Sequence, residues 1–222
     1  MKLGDLIYTE LYEEVNAPKN GKGILFVDID DTLLKPQNIF IYRKLPTDKE
    51  EVKLTPSEYA KEKVTPETKK YYDYREFRNL ENVKKSIVTG LPIIPNLRMM
   101  DAHIRKGWKI GVITARGMED VVYEALKVFL KYRDERKNLQ DIGNKLVREL
   151  VYAINDANRI TRLKGKTDFE KKAEIIRQYA LQGYQIKFLD DDEKNVEAIK
   201  KLAKAANLNV IAVKAAKHDN TF

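Results

Sequence analysis

The sequence predicts an α/β fold: a parallel sheet covered by helices in three layers, with a small α+β insertion after its first strand. Three observations predict it. Gly23-Ile24-Leu25-Phe26-Val27 is the continuous apolar run that a strand buried on both faces requires, and it stops abruptly in Asp28, Asp30 and Asp31. Tyr184 to Leu189 reads as another strand that finishes in consecutive carboxylates, Asp190, Asp191 and Asp192. Trp108 to Ile113 is a third run, ending in Thr114, and helical periodicity fills much of the chain between these runs.

Composition sets the bounds. The 222 residues suffice for one sizeable core plus a smaller insertion, and 43% hydrophobic with 34% charged residues is the balance of a globular domain. No apolar run reaches the length of a membrane span, and Met1 to Asp5 lacks the apolar core of a signal peptide. A cytoplasmic location, with no membrane partner, is the expectation. The absence of cysteine excludes disulfides, thiolate metal sites and a cysteine nucleophile. With His103 and His218 as the only histidines, a histidine-based site is not expected. The net charge of +8 favours anionic partners, although the lysines are spread along the chain and mixed with acids, as on a solvated surface.

Taken in order, residues 1–22 read as a short helix and a Pro/Gly-containing link. Residues 23–34 open the core. Residues 35–95 are too many for a plain loop and form the insertion. Within it, Ile39 to Arg43 and Glu51 to Leu54 read as a hairpin, and Thr55-Pro56-Ser57-Glu58 as a capping box that starts a short helix. Tyr71 to Arg78 is dense in aromatics, which suits a miniature core for the insertion better than a base-stacking surface. The core resumes over 96–214. A helix is expected over Asn96 to Lys106 with Leu97, Met100 and Ile104 inward, and His103 within it as a packing or surface residue. After the strand ending at Thr114, Ala115-Arg116-Gly117 is a turn, and Asp120 to about Lys131 a helix. Asp134 to Leu146 is charged and reads as helical; Glu149 to Asp156 reads as a strand, with a continued helix as the alternative.

Thr167-Asp168-Phe169-Glu170 is a second capping box. The helix it starts puts Lys172 on the same side as Ile175 and Ile176, so that lysine either snorkels or reaches something anionic. Asn195 precedes a further amphipathic helix, Leu208 to Val213 is a last strand, and 215–222 is a loose tail.

Aspartate is disfavoured inside strands, and ligands of open α/β sheets bind at the carboxyl ends of the strands. For the first acidic cluster alone, a solvated Asx-rich turn weighs evenly with a site. Two acidic strand ends, a threonine at a third and an inward lysine converge on one crevice, and this set suits phosphoryl transfer. One carboxylate attacks phosphorus, another moves a proton, others bind Mg²⁺, and a hydroxyl and an ammonium balance the phosphate charge.

Phe26-Val27-Asp28-Ile29-Asp30-Asp31-Thr32-Leu33 resembles the first motif of the haloacid dehalogenase (HAD) superfamily. Val112-Ile113-Thr114-Ala115-Arg116 resembles the second, Lys171 or Lys172 the third, and Phe188-Leu189-Asp190-Asp191 the fourth. The pattern is most similar to small phage-type phosphatases and polynucleotide 3′-phosphatases. The resemblance implies a HAD-type, Rossmann-like core with the insertion as its cap. It implies Asp28 as nucleophile, Asp30 as general acid, and Thr114 and Lys172 as holders of the phosphoryl oxygens. It places Mg²⁺ on Asp28, the main-chain carbonyl of Asp30, Asp190 and Asp191. An aspartate two positions after the nucleophile marks the family's phosphatases. Asp31 stands where many members have glycine, and Asp192 has no assigned role. The expected substrate is a phosphorylated small molecule or a nucleic-acid phosphate end, met in the host cytoplasm if the chain is phage-encoded. The rival reading is a non-catalytic module on the same fold, such as a phage particle component; a phosphotransferase would use the same residues.

Overall fold

The structure is a computed structural model that describes residues 15–59, 61–65, 67–133, 139–160, 163 and 167–217. The helix expected near the N-terminus lies outside these residues. In chain order the strands are β1 (Gly23–Val27), β2 (Leu34–Lys35), β3 (Ile41–Arg43), β4 (Val52–Leu54), β5 (Tyr72–Asp73), β6 (Leu91–Pro92), β7 (Lys109–Thr114), β8 (Lys131–Arg133), β9 (Leu139–Asp141), β10 (Leu146–Ala153), β11 (Gln185–Asp190) and β12 (Val210–Lys214).

Five of them form the central sheet in the order β10-β7-β1-β11-β12, with every pair parallel. This is the Rossmann-like arrangement, in which the chain builds outward in one direction from the first strand and then in the other. Alternation along β1 shows why helices cover both faces. Leu25 and Val27 join one buried cluster with Leu97, Met100, Val122 and Leu126. Ile24 and Phe26 join another, with Ile175, Ile176, Val196 and Ile199. Each large side chain so buried contributes about 1.5–3 kcal/mol. Gly111 on β7 makes the room: a Cβ there would lie 2.5 Å from Cε1 of Phe26.

The helices that flank the sheet are Ile94–Arg105, Glu119–Phe129, Asp168–Leu181 and Glu193–Ala205. The first begins two residues before its expected start, with Pro95 in its first turn, where a missing N–H costs nothing. The strand reading of 149–156 holds as β10, which begins and ends three residues earlier than expected and pairs with β7. Asp134 to Leu146 is not the expected helix where it is described. β8 and β9 pair antiparallel and a short 3₁₀ turn follows, so the described residues of this stretch are strand and turn. Nor is the segment after Lys214 loose from its start: Ala215 is buried, and the main chain of Ala216 both donates to and accepts from the side chain of Asn96.

The insertion has a stem, a lobe and a helix. β2 and β6 pair antiparallel and close the stem. β4, β3 and β5 form an antiparallel sheet whose Ile41, Leu54 and Tyr72 pack with Tyr59, Tyr71, Tyr74 and Phe77, the miniature core expected from the aromatics. The Thr55 capping box is formed, although its helix is a single turn, Pro56–Tyr59. The helix Leu80–Val88 behaves differently. Val83 and Ile87, one turn apart, belong to the main core rather than to the lobe.

His103 is a core residue, 1% exposed, stacked edge-on against Trp108 at 5.3 Å between ring centres. Its Nδ1 lies 2.8 Å from the Met99 carbonyl, which can only accept, so the proton sits on Nδ1 and the buried Nε2 has no partner among the described residues. Burial pushes His103 down to about 4 against the Met99 bond, with Lys187 adding to the fall. The unfolded chain therefore binds a proton between about pH 6.5 and 4 that the folded chain refuses. The stability this group provides is complete above pH 6.5 and is lost as pH falls towards 4, with about 2 kcal/mol gone between pH 7 and 5. Urea unfolding at the two pH values should show a smaller loss for His103→Leu than for the wild type.

Candidate active site

The topology reverses direction between β1 and β11, the position where ligands of such sheets bind. Their register pairs Val27 with Leu189, so Asp28 and Asp190 emerge side by side at the switch point. Asp28 still donates its N–H to the Leu189 carbonyl at 2.9 Å, which fixes it at the lip of the sheet. The strand ends there and does not continue to Asp30.

Lys172 reaches the same point from the helix Asp168–Leu181. Thr167 and Glu170 cap that helix reciprocally, which sets its phase and turns Lys172 inward with Ile175 and Ile176. Its Nζ donates to Asp28 Oδ1 at 2.9 Å and to Asp190 Oδ2 at 2.7 Å, and the three side chains are nearly inaccessible. Of the two lysines the sequence offered, Lys171 instead bonds Asn155 and pairs with Asp168. Asp28 Oδ2 accepts no hydrogen bond among the described residues. Asp190 is more committed: Oδ1 accepts from the Asp192 N–H and from Asn195, and Oδ2 from Lys172 and Asn195.

Asp30 lies in the loop beyond β1 and turns to Arg116. The guanidinium grips it by both oxygens, Nε at 2.8 Å and Nη2 at 2.7 Å. Arg116 is itself buried, with Nη1 donating to Ser86 Oγ at 2.9 Å. Asp31 follows at φ 55, the left-handed conformation that glycine adopts freely and aspartate tolerates. Its carboxylate accepts from Ser57 of the insertion at 2.8 Å. Thr32 Oγ1 accepts from the Asp191 N–H and donates to Asp191 Oδ1, while Asn96 holds the Thr32 carbonyl.

Thr114 ends β7 and is wholly buried. Its Oγ1 accepts from the Arg116 N–H at 3.4 Å, and it makes no side-chain contact with Asp28 or Lys172 among the described residues. The structure thus joins Asp28, Lys172 and Asp190 directly, pairs Asp30 with Arg116 and Asp191 with Thr32, and turns the Thr114 hydroxyl to the Arg116 main chain. Asp192 has a role after all: it caps the helix Glu193–Ala205 by accepting from the Lys194 N–H. Asn195, expected ahead of that helix, is its third residue and faces Asp190. Arg116, Asn195, Ser86 and Ser57 were not singled out by the sequence reading. For Asn195 the available signal was its position in the first turn of a helix starting beside Asp190.

Five carboxylates, Asp28, Asp30, Asp31, Asp190 and Asp191, meet two hydrogen-bonded cations, Lys172 and Arg116. They cannot all ionise without cost, and the excess is visible. Burial pushes Asp28 well up; Lys172 opposes the shift, and Asp190 and Asp30 reinforce it. Burial pushes Asp31 up against its Ser57 bond. Asp191 rises to about 6 through burial, reinforced by Asp190 and Asp31. For Lys172 burial alone favours the neutral amine, but Asp28 and Asp190 outweigh it and hold the ammonium charged.

Hard carboxylate oxygens in charge excess suit a Mg²⁺ ion, which needs only one or two of them beside water and a substrate phosphate. Among the described residues no three acidic or histidine side chains are gathered tightly enough to hold a metal ion alone. Asp190 enters such a site only by releasing a donor, whereas Asp191, with Oδ2 uncommitted, is the readier ligand. No helix among the described residues is long and apolar enough to cross a membrane. No protein-family model matches the chain, and no curated protein is similar enough to register as a relative.

Proposed function

We propose that the protein is a Mg²⁺-dependent phosphomonoesterase of HAD type that works through an aspartyl-phosphate on Asp28. The observation that carries this reading is the Asp28–Lys172–Asp190 triangle at the switch point, in which Asp28 Oδ2 accepts no hydrogen bond from the described residues. With Oδ1 anchored on Lys172, Oδ2 is the oxygen placed to attack. It forms a bond to phosphorus as the ester P–O bond breaks, and Asp30 gives its proton to the departing oxygen. In the second half Asp30 takes a proton from water, whose oxygen attacks phosphorus and releases phosphate and free Asp28. Lys172 balances the charge of the phosphoryl group, and the Thr114 hydroxyl, at the adjacent strand end, completes the cradle in this reading. Mg²⁺ held by Asp28, the main-chain carbonyl of Asp30 and Asp191, with Asp190 behind them, would supply charge neutralisation on the phosphoryl oxygens.

The insertion acts as a cap in this proposal. It leans on the site through Ser57, and the Phe77 ring centre lies 5.9 Å from the Arg116 guanidinium. A nucleotide or a nucleic-acid phosphate end is the preferred substrate class, supported by the net charge of +8. The test is phosphate release from an aryl phosphate, nucleotides and a phosphate-ended oligonucleotide, with Mg²⁺ and with EDTA. Release that EDTA abolishes is expected. No release across the panel, together with calorimetric Mg²⁺ binding, would replace the phosphatase with a binding module.

A further inference from the structure

We propose that Ser86, on the insertion helix Leu80–Val88, is a positioning residue for Asp30 and acts through Arg116; the proposal rests on the phosphatase reading above. Arg116 is 3% exposed, and a buried guanidinium must find acceptors at both ends. Asp30 supplies them for Nε and Nη2. At the other end Nη1 meets Ser86 Oγ at 2.9 Å and, at the limit of hydrogen bonding, the Val83 carbonyl at 3.5 Å. Ser86 is itself fully buried and gives its own proton to that carbonyl at 2.8 Å, so its oxygen lone pairs are turned towards Arg116. Val83 and Ile87 lock this helix into the main core, which makes Ser86 a fixed point.

The need for such a point follows from the clamp. Both Asp30 oxygens are taken up by Arg116, so delivering a proton to a leaving group requires one of those bonds to open. Ser86 keeps Arg116 in place while that happens, and Asp30 stays aimed by the remaining bond. Without the hydroxyl, Arg116 follows Asp30 instead of directing it.

Leaving-group dependence separates this role from general support of the fold. Dinitrophenolate departs without a proton, whereas phenolate leaves faster with one. The kcat/KM of the Mg²⁺-loaded full chain, which reports the step forming aspartyl-phosphate, is measured on dinitrophenyl phosphate and on phenyl phosphate. For Ser86→Ala, and for Ser86→Cys as a volume-matched weak acceptor, the loss on phenyl phosphate is expected to exceed that on dinitrophenyl phosphate about tenfold. Ser86→Thr, which keeps the hydroxyl, restores the wild-type ratio. Equal losses on the two esters, or none, overturn the positioning role alone. A wild type inactive on both esters and on the panel above overturns the phosphatase reading and this role with it.

Discussion

Replacing Lys172 with methionine will cost the fold about 3–5 kcal/mol, the penalty for stranding buried charge by removing one partner of an ion pair. The stranded groups are Asp28 and Asp190, which reach the ammonium at 2.9 and 2.7 Å and have almost no solvent to turn to. Asn195 and the Asp192 N–H still serve Asp190, but Asp28 Oδ1 keeps no partner among the described residues. Urea unfolding of the two proteins measures the loss. On the proposed mechanism turnover is expected to fall about a hundredfold or more, since the charge that balances the phosphoryl group there disappears. Added Mg²⁺ should stabilise the variant more than the wild type, because a cation can then relieve the same carboxylates. A loss below about 1 kcal/mol would mean that the triangle is not the electrostatic keystone of the core.

Asp28→Asn should separate folding from chemistry. The amide oxygen can still accept from Lys172, and Lys172 still pairs with Asp190, so the hydrogen bonds of the triangle survive. What goes is one of five crowded carboxylates, the one that burial pushes well up. Stability should therefore hold level or rise by up to about 1 kcal/mol, as often happens when a strained functional group is neutralised. Turnover should fall about a thousandfold or more, because an amide cannot form the acyl-phosphate. Phosphate release and thermal melting of the same preparation check both signs. Retained turnover would refute Asp28 as the nucleophile, whatever the melting curve shows.

Much of this site was legible because it sits where regular structure stops. β1 announces itself as an apolar run and β11 by its apolar Ile186, Phe188 and Leu189, and the carboxylates that follow have no packing reason to be there. Lys172 was legible through helical phase, since the capping box at Thr167 fixes the rotation of every residue after it. Arg116 and Ser86 were not. Their partners lie 86 and 30 residues away, and nothing local marks a serine in a helix as an acceptor for a distant guanidinium. The antiparallel pair of β8 and β9 escaped for another reason: its charged residues carry neither a period of two nor an apolar face. Asp192 shows the cost of reading a run as a unit, for three consecutive aspartates divide into a core partner, a loop residue bonded to Thr32 and a helix cap.

The paired strands β2 and β6 bring the chain back to the point where it left, one strand spacing away, about 5 Å. Geometrically, a short turn across Lys35 and Leu91 could replace everything between them. The helix Leu80–Val88 forbids that economy, because Ser86 holds Arg116 and Val83 fills the core. What lies before Asn79 has its own fixed points, since Ile39 is buried in the main core and Ser57 bonds Asp31. In the proposed phosphatase, substrate range can drift with the lobe of β3, β4 and β5 around these points, while the helix Leu80–Val88 is tied to Asp30 through Arg116.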